Sequence, residues 1–472
     1  MTSMMTLQQA HALIPASRLV GDGATALNRV HSDSRTLQPG DLFVALNGVR
    51  FDGAEFLAQA RESQAAAAIC AEAASQRLLD AALPGLLVAD TKKALATLAT
   101  NWRTQFQLPV IAVTGSNGKT TVTQMVGSIL RAWLGDLALV TQGNFNNDIG
   151  VPLTLLRLRA RHRAAVVELG MNHPGEISEL AHMTQPTVAL VNNAQREHLE
   201  FMSTVEAVAR ENGSVFGSMG PEGVGVFPAG EPFSPLWEGL LSNRPRVTFG
   251  GLPPAGDAQI HAQGNFIGNG WQLQVITPQG SFPLRLKVAG LHNVRNAMAA
   301  TACAVAARVP LNAVQAGLEV FEPVKGRSRV FDVEIAGRTL TVVDDSYNAN
   351  PDSVRAAIDL LCTLPGPRLL VLGDMGEVGD QGPQLHAEVG AYARDVAIDR
   401  LCAIGPLCVH ACQAFAGACH FPDRTALIQA LLQDLPQGGS VLIKGSRFMG
   451  MEWVVQAIEE FAARGTEVGH AA

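Results

Sequence analysis

The sequence predicts an α/β protein built on parallel sheets with helices on both faces. Three observations point there. Short aliphatic runs at Val110–Val113, Leu137–Val140, Ala164–Val167 and Val188–Val191 alternate with helix-length stretches. That alternation is the pattern of parallel strands joined by crossover helices. It returns after residue 326, at Leu340–Val343, Leu369–Leu372, Leu401–Ile404 and Val441–Ile443. Finally, several of these runs stop at Gly-, Asn- or Asp-rich turns, the side on which open parallel sheets bind ligands.

In order along the chain, 472 residues divide into three blocks, at roughly 100–200 residues per domain. The expected boundaries are 1–107, 108–325 and 326–472. The first block holds strand-like runs at Asp41–Leu46 and Gly85–Ala89 around an Ala-rich helical stretch. A helix over Lys92–Gln105 then leads to Pro109. The second block opens with Val110–Val113, a Gly-rich turn and a helix to Leu134. Between Val224 and Leu291 short strands with Gly/Pro turns predict an antiparallel insertion or edge. Leu291–Val309 follows as an Ala-rich buried helix. In the third block one helix starts at Pro351-Asp352-Ser353, where Pro in the first turn and nearby Asp suit a helix start. The tail Gly465–Ala472 is expected to fray.

Composition narrows the function. Hydrophobic residues make up 47% and charged residues 16%, enough for real cores. The net charge of −7 argues against general nucleic-acid binding. An anionic nucleotide would need local devices instead. The seven cysteines, at 70, 303, 362, 402, 408, 412 and 419, include no CxxC pair. Cys408 and Cys412 have helical spacing, but idle thiols in a reducing cytoplasm are the simpler reading. Met1–Pro15 lacks Lys, Arg and a long apolar core, so no signal peptide is expected. No uncharged apolar run approaches the ~18 residues of a membrane span.

The sharpest motif is Gly115-Ser116-Asn117-Gly118-Lys119-Thr120-Thr121, set between a strand and a helix. Glycines let the backbone turn tightly and expose N–H groups, and the helix points its positive end at an anion. Lys119 would reach the β- and γ-phosphates of ATP, and Thr120 or Thr121 would put a hydroxyl on Mg²⁺. The spacing is shorter than the usual phosphate loop, since position 113 is Val.

Other strand ends add polar groups. Glu168 closes the run Ala164–Val167 and suits a Mg²⁺ ligand, which prefers oxygen. His198 lies beyond the next strand. Asn144, Asn146 and Asn147 form a turn after Val140-Thr141, on the same side. Asp344–Pro351, Gly373–Glu377 and Lys444–Arg447 follow three strands of the last block, forming an edge that could close over the phosphate loop.

Taken together, TGSNGKTT at Thr114–Thr121, VVELG at Val166–Gly170, the His198 segment, GLHNVRN at Gly290–Asn296 and Gly326-Arg327 resemble the Mur ligases. DSYNANPDS at Asp345–Ser353, LGDMGEV at Leu372–Val378 and KGSRFMGME at Lys444–Glu452 are similar to the members that add the final dipeptide. Asp33-Ser34-Arg35, Gly40–Leu46 and Asp52-Gly53 match the uridine-nucleotide domain of those members. The resemblance implies three domains: an N-terminal uridine-nucleotide domain, a central phosphate-loop ATPase-like domain and a C-terminal Rossmann-like domain. It implies a cytoplasmic, monomeric ligase using ATP and Mg²⁺, with neither nucleic-acid binding nor membrane insertion. Its substrates would be UDP-N-acetylmuramoyl-tripeptide and D-alanyl-D-alanine, joined through an acyl phosphate. Carried over residue by residue, Lys119, Glu168 and His198 would be catalytic, and Thr120, Glu168 and His198 would serve the metal. Asn296, Arg327 and Asp345 would contact the nucleotide, and Ser34 and Arg35 the uridine diphosphate. Asn348 and Asn350 would lie near the dipeptide. Another amide ligase of the superfamily, or a nucleotide-binding ATPase that ligates nothing, stands as the alternative.

One position departs from the family pattern. Counting back from Phe216 puts Asn212 where relatives carry a lysine modified to a carbamate. An asparagine cannot be carbamylated, so an altered second Mg²⁺ site is expected, with Glu211 or water in substitution.

Overall fold

The computed structural model describes residues 3–48, 51–254, 256–267, 270–335, 337–436 and 438–469. Three sheets, one for each block, carry the chain. The N-terminal sheet has five strands, ordered Arg18–Val20, Gly85–Val88, Ala67–Ala71, Asp41–Val44 and Arg29–His31. All neighbours are parallel except the first pair.

The central sheet has six parallel strands. Their order is Ala138–Val140, Ala164–Glu168, Val110–Thr114, Val188–Val191, Val224–Pro228 and Arg246–Phe249. Val110–Thr114 is buried along its whole length, as a strand covered on both faces must be. Ala112 packs into the core on one face, and Ile111 and Val113 into the core on the other. Lys119–Leu134 covers the latter face through Val122, Met125, Val126, Ile129 and Leu130, a stripe at helical spacing.

Between Val224 and Leu291 the sequence expectation is corrected. Val224–Pro228 and Arg246–Phe249 extend the parallel sheet, and only His261–Ile267, Gly270–Thr277 and Gly280–Leu286 form an antiparallel unit. The third sheet runs Arg329–Ile335, Arg338–Asp345, Ser440–Lys444, Arg368–Gly373, Arg400–Ile404 and Cys419–Phe421. It is parallel apart from the antiparallel edge strand Arg329–Ile335. The last helix runs through Glu452–Gly469, so the tail that was expected to fray is helical to residue 469; residues 470–472 lie outside the described residues.

The N-terminal sheet is not packed separately. Leu42, Val44, Ile69, Leu86 and Val88 share one continuous core with Val110, Ala112, Val167 and Val191 of the central sheet. The helix Thr91–Arg103 joins the two. Trp102 donates to the Leu158 carbonyl at 3.2 Å, and Arg103 donates to the carbonyls of Thr184 and Gln185, both at 3.0 Å. No described helix is long and apolar enough to cross a membrane.

Candidate active site

The register of the central sheet builds the site. Val113 lies opposite Glu168, and Thr114 opposite Val191. The phosphate loop therefore emerges between the ends of two neighbouring strands. Gly115 has φ 131°, and a Cβ there would come within 3.0 Å of the Asn192 and Asn193 nitrogens. Gly118 has φ 79°, and a Cβ would lie 2.4 Å from Asn296 Oδ1. Glycine is required at both positions.

The loop is held from three sides. Asn192 donates to the Asn117 carbonyl at 2.8 Å and to Asn296 Oδ1 at 3.1 Å, while Asn193 Oδ1 accepts from the Asn117 N–H at 2.8 Å. Lys119 Nζ folds back onto the carbonyls of Gly115, at 2.6 Å, and Ser116, at 2.9 Å. It also meets Glu197 Oε1 at 3.0 Å. Thr120 Oγ1 and Asn146 Nδ2 both donate to Glu168 Oε1 at 2.9 Å. Glu168 is 1% exposed, yet its Oε2 has no hydrogen-bond partner. A buried, unpartnered carboxylate oxygen beside a hydroxyl is a donor set that fits a hard divalent cation.

His198 sits at the start of the short helix Leu199–Met202 with φ 52°. Its Nδ1 lies 2.6 Å from Glu377 Oε2, outside hydrogen-bond geometry, and its Nε2 lies 3.5 Å from Glu197 Oε1. Burial works against the imidazolium, but the two carboxylates outweigh it and raise His198 to about 9. Burial would likewise raise Glu197, and Lys119 and His198 hold it below the ordinary glutamate value.

The C-terminal block closes the crevice. Asn350 caps the helix Pro351–Cys362 in a reciprocal capping box with Ser353. Its Nδ2 donates to Asn117 Oδ1 at 2.9 Å, and its Oδ1 accepts from Asn117 Nδ2 at 3.3 Å. Arg196 holds Asp352 at 2.6 Å and Glu388 at 2.8 Å. Asp345 pairs with Lys444 at 2.5 Å and accepts from the Ser328 N–H at 2.8 Å. Burial opposes its ionisation, and Lys444 more than compensates, so its pKa is lowered. Arg327 stacks 4.1 Å from the Tyr347 ring centre. One cavity of about 1230 Å³ runs through all of these elements.

Most of the sequence candidates meet in this cavity: Ser116 to Thr121, Asn144, Asn146, Asn147, Glu168, His198, Asn296, Arg327, Asp345, Asn348 and Asn350 all line it. Gly115, the buried first residue of the loop, does not line the cavity. Within the Asn turn, Asn147 Oδ1 accepts the Gly150 N–H at 2.9 Å, at the start of the following helix. Ser34 and Arg35 do not line the cavity. Arg35 is exposed and its guanidinium pairs with Asp33 at 2.7 Å. Glu211 does not line the cavity, and its Oε1 accepts the Ile177 N–H at 2.9 Å. Asn212 is buried, accepting from Thr114 Oγ1 at 2.5 Å and donating to the Val208 carbonyl at 3.0 Å.

The sequence alone assigns no role to Asn192, Asn193, Arg196 or Glu197, and it places Lys444 only on a strand-end loop of the closing edge. The only signal was the density of polar residues in 192–200. Away from the cavity, Asp374, His386 and Cys408 lie within 4.8 Å of one another. Backbone groups occupy them: Asp374 accepts from the Cys408 N–H, while His386 accepts from the Met375 N–H and contacts the Gly382 carbonyl.

A short glycine loop feeding a helix, a strand-end carboxylate and a separate α/β block closing over both define a nucleotide-dependent ligase. The chain belongs to the Mur ligase family. It matches the Mur ligase family catalytic domain over residues 27–103, the Mur ligase middle domain over 113–304, and the Mur ligase glutamate ligase domain over 326–447. It is 40% identical to UDP-N-acetylmuramoyl-tripeptide–D-alanyl-D-alanine ligase of Escherichia coli K12, covering 92% of this chain and 94% of that one. The Haemophilus influenzae protein of the same name is 37% identical over 98% of this chain and 99% of its own length. A crystal structure of MurF from Acinetobacter baumannii superposes with a TM-score of 0.87 at 35% identity, covering 97% of this chain and 99% of that one.

Proposed function

We propose that this protein is an ATP-dependent ligase that adds D-alanyl-D-alanine to UDP-N-acetylmuramoyl-tripeptide in the cytoplasm, as a monomer, with blocks 1–107, 108–325 and 326–472 as its three domains. The carrying observation is one cavity that joins a phosphate loop to the strand-end loops of the C-terminal block, in a chain alike over nearly its full length to ligases of that name. In this reading the tripeptide carboxylate takes the γ-phosphoryl group of ATP, the dipeptide amine attacks the resulting acyl phosphate, and phosphate leaves.

The chain's own groups divide that work. The loop N–H groups from Ser116 to Thr121 cradle the phosphates, and Lys119 swings from Glu197 and the loop carbonyls to neutralise charge as it moves. Asn296, Arg327 and Asp345 hold the nucleotide. Thr120, Glu168 and, once it has given up its proton, His198 would hold Mg²⁺; the unpartnered Glu168 oxygen supports the place of Glu168 in that set. The ion would supply charge neutralisation on the phosphates. Ser34 and Arg35 take the uridine-diphosphate end, outside the cavity, and Asn144, Asn146 and Asn147 form the wall towards the tripeptide. Asn348 and Asn350 face the acceptor side. Closure by the C-terminal block keeps water from the acyl phosphate.

The test is a product assay with protein, ATP, Mg²⁺, UDP-N-acetylmuramoyl-tripeptide and D-alanyl-D-alanine, reading the pentapeptide by mass. Well-folded protein that yields no pentapeptide defeats the proposal. Phosphate release that needs no acceptor would favour a plain ATPase.

A further inference from the structure

The acceptor in the proposed reaction carries one amine, one carboxylate and two methyl side chains. Its amine must reach the acyl carbon beside the phosphate loop. Its carboxylate is repelled by the phosphates and must end on a cation elsewhere on the cavity wall.

Most cavity cations are already committed. Lys92 pairs with Asp148, Arg196 with Asp352 and Glu388, Arg295 with Glu231, and Lys444 with Asp345. Lys119 belongs to the phosphate loop. Two further guanidinium groups lie near the Tyr347 ring, Arg327 at 4.1 Å and Arg447 at 5.4 Å from its centre, and the one carboxylate partner of Arg447 among the described residues is the half-exposed Glu452. Arg327 is followed directly by Ser328, which contacts His292 and Asp345 on the nucleotide side. Arg447 lies on the other loop, after the strand Ser440–Lys444. That loop is tied to the neighbouring strand end by the Gly376 N–H, which donates to Ser446 Oγ at 2.5 Å. Only one Arg447 nitrogen is occupied by a carboxylate, with NH1 2.9 Å from Glu452 Oε1, and the side chain is 61% exposed. Next to it Phe448 is 67% exposed at the cavity wall and offers an apolar face there. Gly376 leaves room for that ring: a Cβ at 376 would lie 2.8 Å from Phe448 Cε1.

We propose that Arg447 binds the C-terminal carboxylate of the dipeptide acceptor, and that Phe448 and Tyr347 bound the space for its methyl side chains. Arginine suits this task because its planar fork matches a carboxylate. The assignment rests on the functional reading above.

The experiment compares D-alanyl-D-alanine with its C-terminal amide as acceptors for the full-length protein and for Arg447→Gln. A charge-assisted hydrogen-bond pair corresponds to about a ten- to hundredfold difference in affinity. The wild type should therefore prefer the acid by about that factor in KM. Arg447→Gln should raise KM for the acid by a similar factor, with kcat and KM for ATP within about twofold, and should lose the preference for acid over amide. Arg447→Lys should restore part of it. Equal use of both acceptors by the wild type overturns the proposal without any variant, as does a preference that survives in Arg447→Gln. A wild type that makes no product with either acceptor overturns the functional reading itself, and the assignment with it.

Discussion

Replacing Arg196 with alanine should weaken closure of the C-terminal block without unfolding either partner. The guanidinium reaches Asp352 through Nε and NH2, at 3.1 and 2.6 Å to Oδ1, and Glu388 through NH1 at 2.8 Å. Alanine keeps the backbone N–H to Asp352 Oδ2 at 2.8 Å and loses the rest. Two charge-assisted interactions would each contribute about 1.5 kcal/mol if fully sheltered. The side chains are 23%, 23% and 33% exposed, so screening roughly halves the total to about 1.5–2 kcal/mol. That corresponds to about a ten- to thirtyfold loss of the closed arrangement. Because only the closed arrangement is competent, kcat/KM should fall by up to that factor. Steady-state kinetics give the number, and scattering in solution should show a larger radius of gyration for the variant. Arg210→Ala is the control, since that arginine pairs with Glu206 in full view of solvent, 60% exposed on each side, and should change kcat/KM less than twofold. The latch also has a pH signature. Hydrogen bonding to Arg196 lowers the Glu388 pKa. Its contribution to closure is therefore present above the ordinary glutamate value and is lost as pH falls through the lowered one. If Arg196→Ala leaves kcat/KM within twofold of wild type, the latch reasoning is wrong.

Further outcomes follow from the same geometry. Lys119→Ala should remove turnover while leaving the melting temperature within a few degrees, since its partners are loop carbonyls and one carboxylate; a variant retaining even a tenth of wild-type activity would argue against its role. Gly118→Ala should destabilise by about 1–3 kcal/mol, because φ is 79° and the new Cβ would meet Asn296 Oδ1 at 2.4 Å and Asn192 Nδ2 at 2.8 Å; denaturant titration checks the stability, and nucleotide binding should be lost with it. Glu168→Gln should leave the fold intact and weaken Mg²⁺ binding, read by calorimetry in the presence of a non-hydrolysed ATP analogue; unchanged Mg²⁺ affinity would remove Glu168 from the metal set. Asn212→Ala should cost about 1–3 kcal/mol by leaving the buried Thr114 hydroxyl without its acceptor, and intact-mass measurement of the wild type should show no carbamate.

Periodicity exposed the strands that are long, aliphatic and bounded by helices. Val110–Thr114 and Ala164–Glu168 were legible because buried parallel strands need continuous apolar runs. Val224–Pro228 and Arg246–Phe249 were misread as an antiparallel region. They are short, one contains Gly225 and ends in Pro228, and the other is partly exposed, so local composition resembles an edge. The core shared by Leu42, Val44 and Val110 was invisible, because no local pattern says which apolar faces meet. At the site, residues on glycine loops and strand ends could be found, since those positions have chemical reasons of their own. Arg196 and Glu197 could not be assigned. Their partners, Asp352, Glu388 and Lys119, lie far away in sequence, and the pairing exists only once the blocks have docked.

The contact between Asn117 and Asn350 shows why the closing surface uses amides at its centre and charges at its margin. Asn350 has two tasks: its Oδ1 accepts the Ser353 N–H at 2.8 Å, capping a helix, and its Nδ2 reaches the phosphate loop. A carboxylate at 350 would cap equally well, but it would place a negative charge against a loop shaped to receive phosphates and would have no N–H for Asn117 Oδ1. A lysine would supply charge but could not cap. An amide carries donor and acceptor together, so two of them reciprocate without adding charge. The loop's conformation and the position of the C-terminal block thus become one condition. Asn117 must hold its backbone against Asn192 and Asn193 and its side chain against Asn350 at the same time. The charged groups, Arg196 with Asp352 and Glu388, sit at the margin, where water softens their desolvation cost. The geometry therefore separates two functions of closure: neutral amides align the reacting groups, and peripheral ion pairs set how often alignment occurs.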